Sequence, residues 1–488
     1  MAECVSGKIN PTFWQRPVVR AIPYAVSRAN RVRIALTFAF LFAFLGVMGR
    51  LIFVPGLKNC RGYYLILPVG LVTLTLLGTK TTWKALLICT PIIAFIICSG
   101  ATADREAITQ SNTPMGMKYA AGASSPTLSA LMLATQSLFV IATASHIRNA
   151  ATVAKVRLVE VFLMGYLITL CAGYILMAGR MMGVLSAEFI NMFNPEGILG
   201  DKRFAPGSGA NEYGISSSFA LTTMLLYQFC GMGRRHPRTW LMIVIGHPLL
   251  QFVWVPLAFV AICFTNTRSA ILAFPGAVCW ILLRTLAPQF RRLSIAGNSV
   301  PLFLFGVLGI VAMLILMPFL ISNIDHLKFL FEKFSDVAEG DGSTEGRFVM
   351  WREALNRFDS YPLLGAGYPT HEFIHNTYIQ LLCDLGVLGV ALLIGTGAIV
   401  FALFHGRLSG ADCVVPRSAE DKFLMYVREV GLLHVLWFAV TGHNFDHFLP
   451  WFVILLVLAA GRQVASQNAK SSTGRRESGV CDSRMCVT

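Results

Sequence analysis

Three residues in this sequence are of types that can handle charge and protons: Arg268, Arg347 and His375. An imidazole titrates at about pH 6.5, so His375 can accept a proton near neutrality. It can equally hydrogen-bond a loop carbonyl. A guanidinium stays charged and offers a planar fork that suits phosphate oxygens. Arg268 stands at the end of an apolar block, within Thr265-Asn266-Thr267-Arg268-Ser269-Ala270. An anionic partner would explain a cation there, and so would snorkelling to the interface. Arg347 is either an anion ligand or a solvated charge, and Arg203 leaves the same choice open. His371 and His375 have a spacing that suits a metal on a helix, but Pro369-Thr370 argues against a long helix there. Glu339 and Asp341 read as a solvated acidic stretch, and no CxxC pair occurs among the cysteines. No metal site is expected.

The elements that must hold these residues are set by hydropathy. The 488 residues are 55% hydrophobic and 13% charged, with a mean hydropathy of +0.63. The apolar residues come in long unbroken blocks. A helix needs about 20 apolar residues to cross the hydrocarbon, and continuous blocks read as helices rather than barrel strands. The expected class is an all-α polytopic membrane protein of about twelve spans. The blocks are 34–53, 63–79, 85–101, 127–145, 158–179, 213–231, 240–264, 269–286, 300–321, 378–403, 427–442 and 448–463. His247-Pro248 reads as a kink in the seventh span, and Glu160 as an interfacial acid.

Charge gives the orientation. The formal net charge is +15, but the basic residues are spread over short connections, so nucleic acid is not the expected partner. Most Lys and Arg fall on one side of the bundle, which predicts cytoplasmic N- and C-termini. The chain then divides into a cytoplasmic segment 1–33, nine spans within 34–321, a large periplasmic loop 322–377, three spans within 378–463 and a disordered cytoplasmic tail 464–488. A long polar loop on one face of a bundle is where function concentrates. In that loop Phe348, Trp351, Leu355 and Phe358 share a helical face, which predicts an amphipathic helix on the membrane surface with Trp351 at headgroup level. Gly442–His447 forms a compact turn before the last span, and can reach the same cavity or simply close the turn.

The loop carries an ordered set of motifs: Gly346-Arg347-x3-Trp351, then Pro362-Leu363-Leu364-Gly365-Ala366-Gly367, then His375-Asn376-Thr377-Tyr378, then Leu385-Gly386-x-x-Gly389. This run resembles the signature of the O-antigen ligase and polysaccharide polymerase family, bacterial inner-membrane glycosyltransferases. The Thr265–Ala270 stretch resembles the family's Ser-x-Ser-Arg with a conservative change. The stretch from Arg203 to Asn211 is similar to its Arg-x-x-Gly and Pro-Asn, with the Pro missing.

The resemblance implies a donor glycan on undecaprenyl diphosphate, moved to an acceptor sugar hydroxyl at the periplasmic side. It implies His375 as base or acceptor-orienting group and Arg268 and Arg347 as diphosphate ligands. Arg203, Asn211, Trp351, Asn376 and Tyr378 are the expected substrate contacts. It implies no metal and no cofactor. Implied partners are the lipid-linked oligosaccharide, an acceptor glycan or lipid A–core, the bilayer and other polysaccharide assembly proteins. Polymerisation of repeat units is favoured slightly over ligation to lipid A–core. A flippase for lipid-linked sugars is the rival class. It calls for ionisable residues near the midplane in repeated halves, whereas the motifs here gather at one face.

Overall fold

Lipid offers the backbone no partners, so each apolar block must satisfy its own N–H and C=O groups by coiling into a helix. The computed structural model describes residues 26–51, 62–103, 126–193, 204–207, 209–232, 248–265, 267–293, 342–369, 374–405, 418–442 and 447–460. Among these residues there are helices and no strands.

In chain order the helices are α1 Arg28–Met48, α2 Ile66–Leu76, α3 Lys80–Thr102, α4 Pro126–Ile147, α5 Thr152–Met181, α6 Ala187–Phe193 and α7 Ala210–Phe229. They continue as α8 Pro248–Phe264, α9 Arg268–Leu293, α10 Gly342–Phe358, α11 Thr377–His405, α12 Ala419–Thr441 and α13 Phe448–Leu458. Six of them (α1, α3, α4, α5, α11 and α12) are long and apolar enough to cross a membrane. Shorter apolar helices cover Gly62–Leu76, Val253–Phe264, Ser269–Arg284 and Phe448–Leu458. The protein is an all-α polytopic membrane protein. Every expected span overlaps one of these helices except 300–321, which lies outside the described residues, as do 240–247, 322–341 and the tail.

Local departures have physical causes. α1 starts at Arg28 rather than 34 because the Ser27 side chain accepts from Asn30 N and caps it. The kink expected at His247-Pro248 falls at the edge of the described residues, which resume at Pro248. Glu160 is buried against protein and accepts a 2.8 Å hydrogen bond from the Tyr227 hydroxyl.

Packing follows the rules for helices in lipid, where small residues allow close approach. On α1, Ala35, Ala39, Ala43 and Gly46 are buried at helical spacing, and this helix packs closely on α5. Aromatic rings fill the centre. Phe448 lies 5.0 Å from Phe42, and Phe162 lies 4.9 Å from Phe452 in a stacked pair.

Candidate active site

The motif residues are held at helix ends, and these ends meet. α12 finishes at Thr441, and the Gly442 carbonyl accepts a 2.8 Å hydrogen bond from the Thr377 hydroxyl at the start of α11. Near the end of α12, Trp437 donates its indole N–H to the Ser269 carbonyl at the start of α9, at 2.9 Å. Thr267, just before α9, contacts the Asn211 amide oxygen at 3.4 Å and the Ala210 carbonyl at 3.2 Å. Glu212, the next residue of α7, accepts from Phe448 N at 3.2 Å and stands 3.2 Å from His447 Nδ1. His447 lies five residues beyond Gly442, which closes a ring of contacts through α7, α9, α12 and α13.

His375 and Arg268 both flank this ring. His375 is two residues before Thr377, and Arg268 sits between Thr267 and Ser269. The Arg268 side chain lies outside the described residues, as does the whole of Arg203.

His375 has a backbone φ of 51°, the sole non-glycine with positive φ among the described residues. That region is sparsely populated by L-residues, and such conformations cluster at functional sites because the surroundings must hold them in place. The hold is visible on both sides. Before it, the Ile374 carbonyl accepts a 2.6 Å hydrogen bond from the Trp351 indole. After it, the Asn376 side chain caps α11 by accepting from Tyr378 N and Ile379 N, each at 3.1 Å.

α10 brings the remaining motif. Met350, Trp351, Ala354 and Phe358 face Ile374, Ile379 and Cys383 of the following segment. The expected apolar stripe is therefore divided. Trp351 packs on protein, whereas Phe348 and Leu355 stay exposed. Arg347 is half-buried, one turn before Trp351 on the same face of the helix.

The two glycine motifs turn out to be partners. α11 is broken at Gly386, where φ is 65° and ψ is −178°. Residues 362–367 fill the break. Ala366 N and Gly367 N donate to the carbonyls of Cys383 and Asp384, at 2.9 and 3.0 Å. Val387 N and Leu388 N donate to the carbonyls of Pro362 and Leu363, at 2.9 and 3.1 Å. A broken helix at membrane depth is tolerated where protein re-satisfies its freed groups, and this turn supplies four bonds.

Of the expected contacts, Asn211 lies against Thr267 beside Arg268, and Asn376 and Trp351 hold the residues that flank His375. Tyr378 does not join the ring, being 49% exposed where Asn376 is 8%. Sequence reasoning passed over Glu212. It lies next to Asn211, and an acid within a helix of a membrane bundle is itself a functional signal.

The fold defines a multi-pass helical membrane protein in which the starts of α9 and α11 meet the end of α12. Residues 253–394 match the O-antigen ligase family, a span that includes Arg268, Arg347, Trp351, His375, Asn376 and Tyr378. Over that stretch the chain is similar to the O-antigen ligase family, a similarity that indicates glycosyl transfer of the O-antigen ligase/polymerase type. No curated protein matches the chain.

Proposed function

We propose that this protein transfers a glycan from undecaprenyl diphosphate to an acceptor sugar hydroxyl at the periplasmic face of the bacterial inner membrane. The constrained backbone of His375, at φ 51° between two anchored neighbours, carries this reading. In the reaction the acceptor oxygen attacks the anomeric carbon, and the bond from that carbon to the diphosphate oxygen breaks. His375 takes the acceptor proton, a task suited to an imidazole near neutral pH. Arg268 and Arg347 hold the departing diphosphate, whose negative charge grows as the bond breaks. The donor tail stays in the outer leaflet, so the cations must sit at the span ends, where α9 begins and α10 lies.

Within this activity we favour polymerisation of repeat units over ligation to lipid A–core. Asn211, beside Thr267, is placed to contact the glycan. The flippase reading is disfavoured by the gathering of the motif segments at one end.

The test uses proteoliposomes holding lipid-linked oligosaccharide and acceptor. The wild-type protein should lengthen or transfer the glycan without ATP or added metal. His375→Ala and Arg268→Ala should abolish transfer while the protein still elutes as a folded species. Full activity in both variants would remove the assignment, and a requirement for ATP or a proton gradient would favour transport. A deletion strain that keeps single repeats but no polymer supports polymerisation, whereas accumulated lipid-linked polymer supports ligation.

A further inference from the structure

The end of the bundle opposite the motifs carries a second polar assembly. α11 and α12 run between the two ends: α12 has Gly442 at the motif end and Asp421 near its start, and α11 has Thr377 at the motif end and Leu403 near its finish. At about 1.5 Å per residue, the 23 residues of α12 separate the ends by about 34 Å.

Three cations meet at this second end. Lys155, in the first turn of α5, is 8% exposed and donates to the Arg148 carbonyl at 2.7 Å. Arg148, after α4, is half-buried, donates to the Leu403 carbonyl at 3.5 Å and lies 5.9 Å from the Phe404 ring centroid. Arg428, two turns into α12, is half-buried and bonds through Nε to the Leu424 carbonyl at 2.9 Å. Arg428 and Arg148 stand close enough to Lys155 for their charges to oppose its own. Asp421 stands close enough to favour both Lys155 and Arg428, and accepts from the Thr152 hydroxyl at 3.2 Å.

Among the described residues, the nearby acids already have partners. Glu429 also favours Arg428, but it is engaged by Arg284 at 3.4 Å and Trp280 at 3.2 Å. Glu160 accepts from Tyr227. Glu420 adjoins Asp421 at the start of α12, and Lys422 is turned onto the rings of Phe229 and Tyr426. The side-chain hydrogen bonds from the three cations go to backbone carbonyls. An ammonium has three donors and a guanidinium five, so donor capacity remains where like charges gather at buried and half-buried positions. Crowding of this kind is costly unless a counter-charge enters. All four contributing segments are span ends, the level at which lipid phosphates lie.

We infer that Arg148, Lys155 and Arg428 form a binding site for a phosphate group on the face opposite the transfer site. The phosphate belongs either to an anionic lipid headgroup or to a soluble phosphate, and the two sources are separable.

The experiment uses the purified full-length protein in detergent. Phosphatidylglycerol, phosphatidylcholine and inorganic phosphate are titrated at matched ionic strength. Thermal midpoint and lipid retained in native mass spectrometry are read. The wild type should retain phosphatidylglycerol over phosphatidylcholine by about tenfold or more, or be stabilised by inorganic phosphate. Lys155→Gln should lose the effect. Arg148→Gln, at a half-exposed position, provides a second variant that tolerates folding. A response to phosphatidylglycerol alone assigns the site to lipid, and a response to inorganic phosphate assigns it to a soluble ligand. Equal retention of both lipids with no phosphate response would overturn the proposal. So would a response unchanged in both variants.

Discussion

Replacing Gly386 by alanine tests whether the break in α11 organises the site. The residue sits at φ 65° and ψ −178°, a region that is essentially restricted to glycine and costs a side-chain-bearing residue about 1–3 kcal/mol. An added Cβ would lie 2.4 Å from the Leu363 carbonyl oxygen and 2.5 Å from Gly365 N. Both obstacles are backbone, so the 362–367 turn must move away. Moving it strains the bonds from Val387 N and Leu388 N, each worth about 1 kcal/mol. The expected loss is about 3–5 kcal/mol, a large share of a total stability of about 5–15 kcal/mol. Thermal unfolding in detergent should show a midpoint lowered by several degrees. Transfer in proteoliposomes should fall further than the folded fraction does, because the displaced turn leads into the segment that holds His375. Gly395→Ala is the control, since nothing lies within 4 Å of its added Cβ. If Gly386→Ala unfolds with the wild-type midpoint and transfers at the wild-type rate, the break plays no part in building the site.

Three further outcomes are expected. Glu212→Ala leaves Phe448 N and His447 without their carboxylate at a buried position, which should cost about 3 kcal/mol in detergent unfolding. Glu212→Gln keeps an acceptor for Phe448 N and should recover part of that loss. Asn376→Ala removes the cap of α11, costing about 1 kcal/mol, and should lower transfer by loosening His375, read as reduced kcat with stability nearly kept. Trp351→Phe deletes the 2.6 Å bond to the Ile374 carbonyl while keeping the packing, at a cost of about 1 kcal/mol. Its unfolding midpoint should fall less than that of Trp351→Ala.

The spans were legible because lipid removes every alternative. A block such as Lys80–Thr102 or Thr152–Met181 can satisfy its backbone in hydrocarbon in no other way, so hydropathy alone located α3 and α5, though it started them five and six residues late. The motifs were legible as candidates because Arg and His chemistry is written in residue type. Asn376 shows the limit of that reading. It stands in the motif as a substrate contact, yet its side-chain oxygen is committed to two backbone N–H groups of α11.

What the sequence by itself determined is the helical, multi-pass character and the set of residues able to do chemistry. Both follow from properties that each residue carries alone: transfer free energy, charge and proton affinity. Only the tertiary structure decided that the Pro362–Gly367 turn fills the break at Gly386, and that Glu212 reaches His447 across 235 positions of chain. Those are backbone and carboxylate contacts between distant segments, and their partners are fixed by helix packing that leaves no periodicity or spacing to read.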